Sequence, residues 1–200
     1  MTFAEPIPPI TAGRIDTPLG PMLALVDAAG ALVGLDFEGS DGTPTFSQRR
    51  LAREGLRTGP ADPVLIRPIA AQLAEYFAGR RRVFDLPLAP FGTPFQRRVW
   101  AALCAIPCGT ALTYRDMALQ LDRPQAARAV GAANGANPIS VIVPCHRLVG
   151  SDGTLTAYGG GLYRKAALLE LEGARPQTLS LAVQALALPV TLPPGGATSG

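Results

Sequence analysis

The stretch TPFQRRVWAALCAIPCGTALTYRDMALQLDRPQAARAVGAANGAN, residues 93–137, decides how this chain folds. Thr93-Pro94-Phe95-Gln96 is a capping box with proline at the first helical position, where its missing N–H costs nothing. Phe95, Val99, Leu103 and Ile106 recur at helical spacing and predict a buried stripe, which Pro107-Cys108-Gly109 ends. A second start at Thr113-Tyr114-Arg115-Asp116 places Tyr114, Met117, Ala118 and Leu121 on one face of a short helix. A break at Leu121-Asp122-Arg123-Pro124 leads into another. Two short helices joined by a tight turn read as helix-turn-helix.

The second of these helices is unusual in composition. Ala126, Ala127, Ala129, Gly131, Ala132 and Ala133 leave Arg128 as its only charge. Small side chains let a helix backbone approach another surface closely. That surface is either the protein's own interior or a nucleic acid. The lone Arg128, followed by Asn134 and Asn137, favours the nucleic acid.

Downstream, NPISVIVPCHRLVG (137–150) predicts an apolar strand over residues 139–143 that delivers Cys145 and the chain's one histidine, His146. A turn at residues 150–153 and three glycines (159–161) precede a last helix, LYRKAALLELEG, ending at Gly173. Glu170 and Glu172 lie in its final turn, where the helix dipole disfavours negative charge by about a few tenths of a kcal/mol. A partner would offset that cost, and His146 is the candidate.

Upstream, residues 10–39 show apolar runs broken at Pro18-Leu19-Gly20-Pro21 and Ala28-Ala29-Gly30, as hairpin turns require. A polar, Arg-rich connection follows, then a helix with Ile69, Leu73 and Phe77 on one stripe, ending at Gly79. DLPLAPFG (85–92) reads as a linker. The fold class is therefore α/β (α+β). A small N-terminal domain of β-sheet plus helix covers residues 1–90, and a C-terminal helix-turn-helix, winged-helix-like domain covers 91–173. An extension, flexible at its end, covers 174–200.

Composition sets outer limits. A hydrophobic content of 48% over 200 residues suits a folded chain with a sizeable core. The net charge of +3 is concentrated in residues 91–173, which carry 8 basic and 5 acidic side chains and so form the better face for an anionic partner. Three cysteines make no paired framework, and no signal segment opens the chain, so a reducing cytoplasm is expected. The most apolar late segment, residues 179–192, is too short to span a bilayer and contains Gln184 and Pro189. No membrane association is expected.

Free cysteine is among the most buried residue types, so a structural thiol is the bland reading of Cys145. Against it stand its place at the end of a predicted strand and an adjacent imidazole, which raises thiolate character. A zinc site from Cys104, Cys108, Cys145 and His146 is disfavoured, because ligands at directly adjacent positions are rare in structural sites. A turning-over cysteine hydrolase takes its base from a distant histidine, and none exists here. A single attack of the thiolate on an alkyl carbon asks less: no oxyanion hole and no second half-reaction.

Taken together, TPFQRRVW, IPCGT, TYRDMA, ARAVGAANGANP, PCHR and YRKAALLELEG closely resemble the methylated-DNA–protein-cysteine methyltransferases, from about Thr11 to Gly173. The resemblance implies repair of O-6-alkylguanine in double-stranded DNA by irreversible, single-turnover transfer to the protein. It implies Cys145 as acceptor, His146 as the base acting through a water, and Glu172 as the carboxylate orienting it. Asn137 corresponds to the residue bracing the active-site turn. Tyr114 corresponds to the tyrosine that helps rotate the nucleotide out, and Arg128 to the finger that fills its place. Tyr158 and Gly159 fall in the loop over the base pocket. Ala126, Ala127 and Gly131 belong to the helix that enters the minor groove.

Ala157 stands where the family commonly has glycine, and Gly159 where it has a small residue such as serine or alanine. With no Cys before Cys104 and no His before His146, the structural zinc of some relatives is not expected; nor is any other metal or a cofactor. A monomer is expected. The competing readings are a lesion-binding relative without transfer, which would lack Cys145, a cysteine hydrolase, and a plain helix-turn-helix binder.

Overall fold

The structure, a computed structural model, describes residues 10–39 and 42–174. The expected flexible extension, apart from Ala174, and the first nine residues lie outside the described residues.

β1 (Ile10–Ile15), β2 (Met22–Val26) and β3 (Leu32–Phe37) form an antiparallel meander. Its turns fall where the sequence placed them. Gly20 N–H bonds Thr17 C=O and Gly30 N–H bonds Asp27 C=O, with φ of 107° and 83°. Those are conformations that a residue without Cβ enters freely. The connection expected to be irregular holds a helix, α1 (Phe46–Arg53), and a short β4 (Thr58–Gly59) parallel to β1. The signal for α1 was local: Thr45 and Gln48 make a reciprocal capping box. Its many arginines hid an apolar position, Leu51, which clusters with Ile10, Leu25 and Val33.

On the other side of the sheet, α2 (Pro63–Phe77) buries Ile69, Leu73 and Phe77 as predicted, and the chain leaves it through Gly79 at φ 72°. The linker does more than connect. Leu32 N–H bonds Pro87 C=O and Ala89 N–H bonds Leu32 C=O, so residues 87–89 cover the free edge of β3.

In the C-terminal half, α3 (Pro94–Cys104) begins at the predicted Thr93 box. α4 (Tyr114–Gln120) and α5 (Ala127–Gly135) form the helix-turn-helix. Trp100 Nε1 donates to Ala133 O at 2.9 Å, tying α3 to α5. β5 (Leu112–Thr113) and β6 (Leu148–Val149) form a two-residue parallel ladder, and α6 (Leu162–Leu171) closes the described chain. The two halves share one hydrophobic core. Ile69, Leu73 and Tyr76 pack in the same cluster as Val99, Leu103, Leu148 and Leu168. Each such aliphatic side chain contributes about 1.5–3 kcal/mol by burial.

The strand predicted at residues 139–143 does not form. Only Ile139 bridges to β3, through Leu35. Pro138 and Pro144 flank the segment and lack N–H donors. The Asn137 side chain takes the backbone groups a ladder would have used: Oδ1 accepts from Ile139 N, and Nδ2 donates to Ile139 O and Val143 O. The segment is buried like a strand but turns back on itself. Among the described residues, no helix is long and apolar enough to cross a membrane.

Candidate active site

The site is assembled on that irregular segment. Ile142 N–H bonds Ser140 C=O at 2.8 Å across Val141, which is held at φ 71°. A turn of this hand is strained for a β-branched residue and costs about 1–3 kcal/mol. A second tight turn follows. Pro144, at φ −81° and ψ 63°, is the centre of an inverse γ-turn closed by Cys145 N–H to Val143 C=O. Cys145–Arg147 then form a single 3-10 turn.

β3 grips the segment from the other half of the molecule. Leu35 N–H donates to Pro138 O and Leu35 O accepts from Ser140 N–H, while Ser47 Oγ donates to Pro138 O at 2.9 Å. Asn134 Nδ2 bonds Cys145 O at 3.3 Å, and Asn137 Nδ2 reaches Cys145 Sγ at 3.0 Å. Both asparagines are buried against the turn that carries Cys145, the position that the resemblance implied for Asn137, so neither joins Arg128 on the outer face that the helix's composition suggested.

Cys145 is 6% exposed and lines a cavity of about 450 Å³ with Asn137, Ser140, Tyr158 and Gly159. Burial pushes its thiol pKa up to about 11, although the Asn137 hydrogen bond and Lys165 pull the other way. The resting sulfur is therefore a protonated thiol, and reaction requires a base.

His146 is fully buried, and its Nε2 lies 3.0 Å from Glu172 Oε1. Glu172 also accepts from Tyr76 Oη, Arg147 Nη2 and Arg147 Nε, each at 2.8 Å. Burial alone would raise this carboxyl. The hydrogen bonds from His146 and Arg147 overcome that and hold it well below the usual carboxylate range. An ionised carboxylate only accepts, so the proton of a neutral imidazole sits on Nε2 and Nδ1 keeps its lone pair. Nδ1 is buried without a protein partner. Burial lowers the imidazole's pKa against the pull of Glu172, which leaves His146 neutral and able to accept a proton. Glu170, the alternative carboxylate, is exposed.

Of the other predicted residues, Tyr114 and those of the small-residue helix occupy a second region, while Tyr158 and Gly159 belong to the Cys145 cavity. Tyr114, at the start of α4, hydrogen-bonds Thr156 Oγ1 at 2.8 Å and lines a neighbouring cavity of about 550 Å³ with Ala127. Arg128 is exposed on α5, and both Gly131 of that helix and Ala126, which caps its start, are half-buried. Tyr158 packs edge-on to His146, ring centroids 6.4 Å apart, and Ala157 and Gly159 line the Cys145 cavity.

Three contributors escaped the sequence reading: Tyr76, Arg147 and Lys165. Lys165 is the chain's only lysine, set on the apolar helix α6, and that was the available signal. Its Nζ is buried and donates to Leu148 O and Thr156 O, and burial lowers its pKa to about 8 against the attraction of Cys145.

The site thus sets a thiol on a cavity wall next to an imidazole–carboxylate pair, in the half of the chain that carries a helix-turn-helix, the arrangement expected of a DNA-binding protein with cysteine chemistry. Residues 10–90 match the ribonuclease-like domain of 6-O-methylguanine DNA methyltransferase, and residues 94–174 match its DNA binding domain. The methylated-DNA–protein-cysteine methyltransferase of Salmonella typhimurium is 48% identical over 163 residues, covering 80% of this chain and 94% of that protein. The Mycobacterium tuberculosis protein of the same name is 54% identical over 121 residues, covering 60% of this chain and 73% of its own length. The crystal structure of Mycobacterium tuberculosis OGT in complex with DNA superposes with a TM-score of 0.70 at 42% identity, covering 84% of this chain and 98% of that one. The chain belongs to the methylated-DNA–protein-cysteine methyltransferase family. It is a DNA-repair methyltransferase with a DNA-binding domain.

Proposed function

We propose that this protein repairs double-stranded DNA by moving the alkyl group of O-6-alkylguanine onto Cys145, once per molecule. One observation carries the residue assignment: Cys145 lines a cavity, and the next residue is a neutral histidine fixed by Glu172 with Nδ1 unpartnered. The target atom is out of reach in a stacked duplex, so the base is flipped at a cost of about a few kcal/mol. Arg128 enters through the minor groove and fills the vacated place. Ala126, Ala127 and Gly131 keep α5 smooth enough for close approach. Tyr114 helps turn the nucleotide and hydrogen-bonds the purine, while Tyr158 and Gly159 close over it. The minor groove carries little sequence information, which suits inspection of any site.

His146 takes the thiol proton through a bridging water, and Glu172 stabilises the imidazolium that forms. Asn137 holds the turn and donates toward the sulfur. The thiolate attacks the alkyl carbon. The C–O bond breaks, its electron pair remains on the guanine oxygen, and the purine takes up a proton from water to remain in the strand as guanine, while the imidazolium returns its own proton to water. The thioether has no easy hydrolytic exit, so one activation is all the site needs. The division of labour follows the chain: residues 1–90 support the turn, and 91–173 bind DNA and react. The protein acts as a monomer in the cytoplasm, where its three free thiols stay reduced.

The test is a duplex carrying O-6-methylguanine, followed by mass analysis of the Cys145 peptide. A gain of one methylene, limited to one event per molecule, is expected. Cys145→Ala abolishes transfer and leaves DNA binding largely intact. Lesion binding without a mass gain would instead mark a recognition protein, and repeated turnover a hydrolase.

A further inference from the structure

We propose that Arg164 is a positioning residue that straps the loop over the base pocket to the N-terminal hairpin, and so sets how large an alkyl group the pocket admits. The inference rests on Cys145 being the acceptor in that pocket.

The geometry is specific. Arg164 Nε donates to Leu19 O at 2.8 Å, and Nη1 donates to Gly160 O at 2.8 Å. One guanidinium thus joins the turn between β1 and β2 to residues 158–161. Its plane is held by two rings: Cζ lies 4.4 Å from the Phe37 centroid and 4.8 Å from that of Tyr163. A planar fork between aromatic faces is a role that lysine fills poorly. Close packing completes the strap. A Cβ on Gly160 would come within 2.8 Å of the Tyr158 ring and 2.9 Å of Phe37, and a Cβ on Gly20 would sit 3.0 Å from Arg164 Nη2. Gly161, at φ 90°, turns the chain from the loop into α6.

Arg164, Phe37, Tyr158 and Gly160 all line the Cys145 cavity, so the loop's position is the pocket's width. The methyl substrate profits from the closed loop because the reacting atoms are held together. A bulky group needs the loop displaced, which breaks the Gly160 bond. Releasing the strap therefore slows the small substrate and favours the large one.

Arg164→Ala and Arg164→Lys are compared with the wild-type full chain. Cys145 labelling is followed by mass with an O-6-methylguanine duplex and with free O-6-benzylguanine. The benzyl-to-methyl rate ratio is expected to rise about 5- to 10-fold in Arg164→Ala and by less in Arg164→Lys, which retains one carbonyl contact. Amide exchange over residues 157–161 is expected to quicken about 10-fold, with β2 and β3 unchanged. An unchanged ratio, or equal losses on both substrates, overturns the strap. So does unchanged loop exchange in either variant, a readout that stands even if Arg164→Ala does not fold. Absence of label on Cys145 in the wild type would overturn the acceptor assignment instead, while loop exchange would still judge the strap.

Discussion

Tyr76 Oη donates to Glu172 Oε1 at 2.8 Å, across 96 residues of sequence. A tyrosine of α2, in the N-terminal half, thus completes the shell around the carboxylate that faces His146. The same oxygen receives His146 Nε2 and Arg147 Nη2, so three donors from two halves of the chain fix one atom.

Tyr76→Phe deletes one of these donors and nothing else. Arg147 and His146 still hold the carboxylate, so the expected loss is about 1–2 kcal/mol of stability, read from urea unfolding. Transfer should persist within about 10-fold of wild type. A loss beyond 1000-fold would mean that the tyrosine touches the chemistry directly.

Glu172→Gln keeps the shape and removes the charge. Arg147 is then buried without its counter-ion, a change that costs about 3–5 kcal/mol. In the proposed mechanism the imidazolium formed during reaction would also lose its stabiliser, and the labelling rate is then expected to fall about 10²- to 10⁴-fold. If labelling is unaffected, the imidazole–carboxylate pair is structural only.

Stability should depend on pH with a definite sign. His146 has a folded pKa below its ordinary 6.5, and Glu172 one far below its ordinary 4.5. In both, the unfolded chain binds protons first as pH falls, so both contributions are present above the ordinary values and are lost on acidification. Urea unfolding between pH 8 and 4 should show a decline beginning near pH 6.5 and steepening below about 4.5. A flat profile would contradict the buried neutral imidazole.

Gly131→Ala separates the two readings of the small-residue helix. An added Cβ would meet only the Tyr114 ring, at 3.8 Å, which is ordinary contact. The fold therefore gains about 0.5–1 kcal/mol from helix propensity. If α5 is smooth for DNA, duplex affinity should fall despite that gain in thermal stability. Unchanged affinity would return the glycine to a packing role.

If Arg128 fills the place of the flipped base as proposed, Arg128→Ala should slow transfer from duplex DNA about 10-fold or more, because nothing then offsets a flipping cost of about a few kcal/mol. Transfer from the free alkylated base should hardly change. Equal slowing of both would remove the finger assignment.

The sequence by itself determined what depends on neighbours a few residues apart. The capping boxes at Thr93 and Thr113, the stop at Gly79 and the hairpin glycines Gly20 and Gly30 fixed where elements begin and end, because their hydrogen bonds close within one turn. Adjacency of Cys145 and His146 was likewise legible, and the ordered motifs named the family. Tertiary structure decided the rest. It set Glu172, the carboxylate that the resemblance implied, 3.0 Å from the buried imidazole and left Glu170 of the same helical turn exposed, a distinction that helical spacing alone leaves open. It bent residues 139–143, a strand by composition, into turns, because a side-chain amide and a strand from the other half offered better partners for that backbone. It buried Lys165, and it brought Tyr76 and Arg164 to the site. Periodicity reports which face of an element is apolar; it carries no information on which distant polar group will be there to satisfy a buried charge.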